Sequence, residues 1–305
     1  MNTLLPDLQK ISLDTWDDHS FQKKSIRVDV LRLDKIHPFI SGNKWFKLNY
    51  YLQDAHRMNK KKIVSFGGAY SNHLIAVAAA AKLEGFSSLG LVRGEKPLTL
   101  SHTLMTAESL GMELQFLSRK EYDEQKKTES VGFISDNDSD TMMIPEGGAG
   151  LRGVSGSAEM LSSLPTAGYS HIYCAVGTGT TLAGIINSTD IHVKKIGVSV
   201  LKGTKDLEPL NMNWIKNKDD LKNVSILHDS HFGGYAKKND TLLEFMNHVF
   251  RTSGIPTDFV YTGKLFYSVL RQSEEGCIPR GSHILIIHSG GLQGNHSIGH
   301  GQLEF

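Results

Sequence analysis

The sequence predicts an α/β protein of two domains, each a mostly parallel sheet flanked by helices. Three observations lead there. The chain has 305 residues, enough to bury a large core and more in keeping with two domains than one. Short β-rich runs alternate with helix-length apolar segments, the order in which parallel strands are joined by crossover helices. A Gly-rich break at Pro145-Glu146-Gly147-Gly148-Ala149-Gly150 then interrupts that alternation and marks a crossing between domains. The expected division is a smaller domain over residues 46–150, inserted into a larger one built from residues 1–45 and 151–305.

Taken in order, Ser25 to Leu33 begins with alternating apolar and polar residues, as a half-buried strand does, and leads through His37-Pro38 to Ser41-Gly42-Asn43-Lys44. Gly42 and Asn43 permit a tight turn. From Lys44 onward Trp45, Leu48, Leu52, Ala55 and Met58 recur at helical spacing, so Lys44 is expected at a turn-to-helix junction. The run Lys62 to Phe66 reads as a strand, followed by Gly67-Gly68, the polar Ser71-Asn72-His73 and an apolar helix from Leu74 to Leu83. Two similar units follow, Ser88 to Val92 with Leu100 to Leu110, and Met112 to Leu117 before a charged stretch. Residues 119–140 are polar and largely acidic, in keeping with a surface helix and a loop. Beyond the break, a helix from Ser155 to Leu164 precedes the strand His171 to Val176, the turn Gly177-Thr178-Gly179-Thr180-Thr181 and a helix from Leu182 to Asn187. Ile196 to Val200 reads as the next strand. Ser282 to His288 is a buried strand running into Ser289-Gly290-Gly291.

Composition excludes several functions. Lys+Arg 33 against Asp+Glu 32 leaves no field to attract nucleic acid or an anionic membrane, and the basic run Asn59-Lys60-Lys61-Lys62 reads as a solvated helix end. Only Cys174 and Cys277 occur, so a disulfide framework is not expected and a reducing cytosol is the natural compartment. Met1 to Lys10 lacks the pattern of a signal peptide, and no apolar run is long enough to cross a bilayer. The expectation is a soluble, cytoplasmic protein acting on a small molecule.

Three stretches could carry chemistry. The Lys44 amine beside a helix start, near the second cation Lys47, has a lowered pKa if it is desolvated and could attack a carbonyl to form a Schiff base; the alternative is a solvated lysine. Gly177 to Thr181 follows a strand and opens a helix, so its N–H groups and hydroxyls form an anion site fit for a phosphate. It lacks the lysine of a Walker loop and the third glycine of a dinucleotide fingerprint, where Leu182 stands, so ATP and NAD are poorly supported. The alternative is a Gly-rich turn packed for closeness alone. Ser71-Asn72-His73 at a helix start suits a carboxylate such as that of an amino acid, while Ser71 or Asn72 also fits a plain N-cap. The 14 histidines include the pairs His228 and His231, and His296 and His300, without a companion Cys or carboxylate set, so no metal site is expected. Gly153-Val154-Ser155-Gly156 misses the spacing of a hydrolase nucleophile elbow.

Gly42-Asn43-Lys44 with Lys47, Ser65 to Gly68 through Ser71-Asn72-His73, the Gly177 to Thr181 turn, Tyr261 before Gly263-Lys264, and His288-Ser289-Gly290-Gly291 resemble one family in one order along almost the whole chain. It is the pyridoxal-phosphate-dependent 1-aminocyclopropane-1-carboxylate deaminase / D-cysteine desulfhydrase family, of the tryptophan-synthase-β-like fold. The resemblance implies that Lys44 binds pyridoxal 5'-phosphate as a Schiff base, and that Lys47 with Gly177, Thr178, Gly179, Thr180 and Thr181 holds its phosphate. It places Asn72 by the ring hydroxyl, Ser289 against the pyridine nitrogen, and Ser71, Asn72 and His73 at the substrate, with Ser71 able to assist proton transfer. Tyr261 matches the tyrosine near the reacting carbon, and Tyr235, in Gly233-Gly234-Tyr235, matches a second active-site tyrosine.

One departure bears on activity. Deaminases of this family carry a glutamate directly after that tyrosine, where this chain has Thr262, expected at the substrate. A hydroxyl beside the ring gives a weaker electron sink than a carboxylate, enough for β-elimination but less suited to opening a cyclopropane. The expectation is therefore elimination on D-cysteine to pyruvate, ammonia and hydrogen sulfide. The deaminase activity yielding 2-oxobutyrate is the alternative, and a non-catalytic cofactor-binding protein is the second. Relatives imply a homodimer.

Overall fold

The structure, a computed structural model, describes residues 5–130 and 140–305. Its strands are β1 (Ser12–Thr15), β2 (Arg27–Arg32), β3 (Lys62–Gly67), β4 (Ser87–Arg93), β5 (Met112–Leu117), β6 (Thr141–Ile144), β7 (His171–Val176), β8 (Lys194–Ser199), β9 (Val224–Leu227) and β10 (His283–His288). Its α-helices are α1 (His19–Gln22), α2 (Asn43–Arg57), α3 (Asn72–Glu84), α4 (His102–Ser109), α5 (Arg119–Ser130), α6 (Leu151–Glu159), α7 (Thr180–Ser188), α8 (Asp240–Ser253) and α9 (Thr262–Glu274). They form two sheets. One has the order β1-β2-β10-β7-β8-β9, the other β5-β4-β3-β6. Every pairing is parallel except β1 with β2, which is antiparallel at the edge. This is the mixed α/β, mostly parallel architecture of two helix-flanked sheets that the alternation predicts.

The strand sequences explain why. In β7 all six residues are buried, and in β10 only His283 at the entry is not, the near-continuous apolar reading of a strand covered on both faces. Ile284, Leu285, Ile286 and Ile287 alternate between the two faces of the larger sheet and join different cores, Leu285 and Ile287 with α7, Ile284 and Ile286 with α9. Each side chain of that size contributes about 1.5–3 kcal/mol on burial. In the smaller sheet α3 is Ala-rich and buried on all sides, which lets it lie close to β3 and β4. Ser71 caps it, its Oγ accepting from the Leu74 N–H at 3.3 Å, and Gly85 closes it in the left-handed region.

One reading is corrected. The helix expected over residues 155–164 spans Leu151–Glu159, because Gly150, at φ +105°, turns the chain directly into it after the Gly-rich break. Its glycines also let helices touch backbone to backbone: a Cβ on Gly156 would lie 1.8 Å from the Phe46 carbonyl oxygen of α2, and one on Gly184 of α7 would lie 2.4 Å from Ser157 Cβ. The polar stretch after β5 does carry a helix, α5, whereas residues 131–139 lie outside the described residues. Strands β1, β6 and β9, the single-turn helix α1 and helices α8 and α9 were not foreseen as elements. The strands and α1 are only four residues long, and α8 and α9 show amphipathic patterns that become legible only with a core to face. Among the described residues no helix is long and apolar enough to cross a membrane, and no group of three or more His, Cys, Asp or Glu is placed to hold a metal ion.

Candidate active site

The carboxyl ends of β7, β10 and β3 and the amino ends of α2, α3 and α7 converge on one cavity of about 480 Å³. That is the ordinary place and size of a small-molecule site in an open parallel α/β protein. Every residue singled out from the sequence lines it except Thr262: Lys44, Lys47, Ser71, Asn72, His73, Gly177, Thr178, Gly179, Thr180, Thr181, Tyr235, Tyr261 and Ser289.

Lys44 stands in the first turn of α2 because Gly42, at φ +62° and ψ −142°, turns the chain sharply beneath the Ser289 carbonyl. Its Nζ donates to Asn43 Oδ1 at 3.0 Å and lies 5.7 Å from the Tyr261 ring centroid. Burial lowers the amine's pKa to about 8, against the opposing pull of Asp258. One turn further, Lys47 is buried and donates to the Gly147 carbonyl at 3.4 Å. Burial, and then the positive charge of Lys44, hold its pKa well below the usual lysine range. Two amines that resist protonation in one cavity form a site short of negative charge.

Across from them, α7 begins at Gly179 with no side chain capping its N-terminus. Thr178 Oγ1 and Thr180 Oγ1 are 2.9 Å apart, and Thr181 Oγ1 accepts from Asn43 Nδ2 at 2.8 Å. Asn43 thus bridges the amine and the threonine turn, a role its place beside Lys44 did not reveal.

On the third side, Ser65 Oγ donates to the Ile144 carbonyl at 2.8 Å and lies 2.9 Å from His73 Nε2. With the hydroxyl proton spent on Ile144, the ring donates to Ser65 through Nε2, and the Pro145 carbonyl also faces the imidazole. Burial, followed by the charges of Lys44 and Lys47, keeps this imidazole neutral, its pKa well below the usual range. Both His73 Nδ1 and Asn72 Oδ1 are buried without a hydrogen-bond partner among the described residues. Unpaired buried acceptors of this kind are costly and mark a place where a ligand's donors fit.

At the fourth side Tyr261 meets Tyr235 edge to face, ring centroids 6.0 Å apart. Burial, and then the neighbouring Tyr235, raise the Tyr261 pKa well above the phenol range, so it holds its proton. Arg93, Lys126 and Glu146, unmarked in the sequence, stand around the rim, with Lys126 paired to Glu146.

Thr262 is the correction. It is fully buried and faces away from the cavity: its hydroxyl donates to Asp258 Oδ1 at 2.8 Å and accepts from the Asp258 N–H at 2.7 Å. The Asp258 carboxylate also takes the N–H groups of Val260, Tyr261 and Thr262, at 2.9, 3.0 and 2.8 Å, and so caps the first turn of α9. Its four acceptor positions are filled. Ser289, beside the Gly290-Gly291 turn, does line the cavity.

The arrangement fits a small aldehyde carrying a phosphate: a nucleophilic amine, an uncapped helix start lined with hydroxyls, a second cation, and unpaired polar atoms between them. Comparison with known proteins agrees. A family model described as pyridoxal-phosphate dependent enzyme matches residues 22–290. The chain is 29% identical over 273 residues to a Pyrococcus horikoshii protein that carries the provisional name 1-aminocyclopropane-1-carboxylate deaminase, covering 85% of this chain and 83% of that one. It is 26% identical over 290 residues to the Arabidopsis thaliana mitochondrial protein named bifunctional D-cysteine desulfhydrase/1-aminocyclopropane-1-carboxylate deaminase, covering 84% and 70%. In fold it superposes on the crystal structure of an ACC deaminase homologue with TM-score 0.78 at 24% identity, over 95% of this chain and 93% of that one. With the family match running from residue 22 to residue 290, the chain belongs to the pyridoxal-phosphate dependent enzymes, in the tryptophan-synthase-β-like group that includes the deaminases and desulfhydrases, and its cofactor is pyridoxal 5'-phosphate.

Proposed function

We propose that the protein catalyses α,β-elimination on D-cysteine, releasing hydrogen sulfide, with pyruvate and ammonia formed by hydrolysis of the unsaturated amine. The observation that carries this reading is the neutral group at the ring side of the cavity. Ser289, which lines the cavity, offers a hydroxyl there, while the buried carboxylate of Asp258 has all its acceptor positions filled by α9. A hydroxyl leaves the ring a moderate electron sink, sufficient when the leaving group is a thiolate.

In this reading Lys47 and the Gly177 to Thr181 turn, with its uncapped helix start, hold the cofactor's phosphate, and Asn72 meets the ring hydroxyl. Pyridoxal phosphate, once bound through Lys44, supplies the electron sink that loosens the bonds at the substrate's α-carbon. Ser71, Asn72 and His73 stand at the start of α3, where the Ser71 hydroxyl, the Asn72 amide and the helix's free N–H groups donate to the substrate carboxylate. The Lys44 amine, released by the incoming substrate amine, takes the α-proton; its lowered pKa suits a base working near neutrality. Tyr261, which keeps its proton, and Tyr235 beside it deliver a proton to the departing sulfur.

The alternative activity is opening of 1-aminocyclopropane-1-carboxylate to 2-oxobutyrate and ammonia, favoured by the names of several relatives. A panel of D- and L-cysteine, other small amino acids and the cyclopropane substrate separates the two. Sulfide and pyruvate from D-cysteine without 2-oxobutyrate is the expected result; 2-oxobutyrate as the main product replaces this reading with the alternative. Soluble, cytoplasmic homodimers are expected.

A pH dependence follows from Lys44. Only the neutral amine attacks an aldehyde, so covalent capture of pyridoxal phosphate by cofactor-stripped protein is expected to quicken about tenfold per pH unit below the amine's pKa. It should level off above about 8. Stopped-flow absorbance measures it, and a rate flat across that range contradicts the assignment.

A further inference from the structure

Tyr235 belongs to residues 228–239, a loop without regular secondary structure between β9 and α8. The loop does not hold its shape by local preference. Phe232 at φ +49°, Gly233 at +94°, Gly234 at +118° and Ala236 at +53° all lie in the left-handed region, which Phe and Ala avoid. A segment so twisted keeps one conformation only where contacts hold it: within the loop His231 accepts from the Gly233 and Gly234 N–H groups and the Gly234 carbonyl accepts from the Lys237 N–H at 3.1 Å, and from outside one face of α9 supplies two further ties. Phe232 packs edge to face on Tyr267, centroids 4.8 Å apart. One turn earlier, the Lys264 ammonium donates to the Gly234 carbonyl at 2.8 Å. One turn earlier again stands Tyr261, the partner of Tyr235.

Lys264 is fully buried, between Leu265, Phe266 and the core beneath them. An apolar side chain would fill that space without the penalty of a desolvated amine, a penalty visible in a pKa lowered by burial to about 8. The amine donates to the Gly234 carbonyl, one bond away from Tyr235 in the chain.

We propose that Lys264 is a positioning residue for the elimination step: by holding the Gly234 carbonyl it sets the Tyr235 phenol against Tyr261 at the leaving-group end of the cavity. The inference rests on the assignment of Tyr235 to that end. Lys264 touches neither cofactor nor substrate; it acts through the loop. Losing its bond frees the twisted segment, and the two phenols part.

The test compares K264M, Y235F and the double variant as holoenzymes, each checked for its visible cofactor band. With D-cysteine, or whichever amino acid the panel identifies, K264M is expected to lower kcat about tenfold or more with the visible band retained, as displacement of a proton donor by an ångström or so does. KM should change little. The double variant is expected to be no slower than Y235F alone, because removing the phenol leaves Lys264 nothing to position. Amide exchange at residues 232–236 should quicken in K264M. G234A, whose methyl would press on Lys202 Cβ at 3.3 Å, moves the same carbonyl from the other side and is expected to reproduce the kcat loss should K264M not fold. Unchanged kcat in K264M or G234A beside a depressed Y235F, or losses that multiply in the double variant, overturns the role of Lys264 and leaves Tyr235 in place. Unchanged kcat in Y235F overturns the assignment of Tyr235 and this inference with it.

Discussion

Lys44→Ala is expected to abolish covalent attachment of pyridoxal phosphate and to cut turnover by at least about a thousandfold, since the same amine serves as attachment point and base. The cavity's other contacts remain. Lys47, the threonine turn and the start of α7 are untouched, so the variant should still bind the cofactor reversibly, with a changed visible spectrum and no label fixed by borohydride reduction. Neighbouring Lys47 cannot take over, because its Nζ is turned toward the Gly147 carbonyl. A K44A protein with the spectrum and turnover of the native enzyme would remove Lys44 from both roles.

Gly42→Ala is the second large effect. A Cβ at this position would fall 1.8 Å from the Ser289 carbonyl oxygen and 2.6 Å from the Gly290 nitrogen, both backbone atoms of the turn after β10. The position also holds φ +62° with ψ −142°, a conformation open to glycine alone. Overpacking and backbone strain together are expected to cost about 3 kcal/mol or more. Because the clash separates the segment bearing Lys44 from the one bearing Ser289, cofactor occupancy should fall along with stability. Urea unfolding and the visible band of the purified variant read the two effects. A native midpoint with full occupancy would mean that the two backbones do not approach as described.

The readable parts of the site share a property: each is a short run whose own chemistry announces it. An amine after Gly-Asn, hydroxyls and glycines after a buried strand, and Ser-Asn-His at a helix start are local patterns, and all of them meet in the cavity. What stayed hidden depends on contacts between distant segments. Asn43 looked like a turn former, yet its amide reaches Thr181. Asp258 sits in an unremarkable stretch and becomes the cap of α9, and Lys264 meets Gly234 across thirty residues. Thr262 was misplaced for a geometric reason. Adjacent residues on a helix point about 100° apart, so a neighbour of Tyr261 need not share its view of the cavity. The parallel sheets were legible from buried β-rich runs, whereas the opening of α6 at residue 151 depended on the left-handed Gly150.

The glycine contacts joining α2, α6 and α7 carry a last consequence. Gly156 sits on the Phe46 carbonyl and Gly184 on Ser157, so three helices are locked at backbone distance with no long side chain between them. The first of these helices begins at the nucleophile and the third at the threonine turn. Together they behave as a fixed caliper whose jaws measure a ligand from aldehyde to phosphoryl end. A methyl group placed at residue 156 would pry the jaws open, and the loss would register as poorer discrimination among vitamin B6 analogues of unequal arm length.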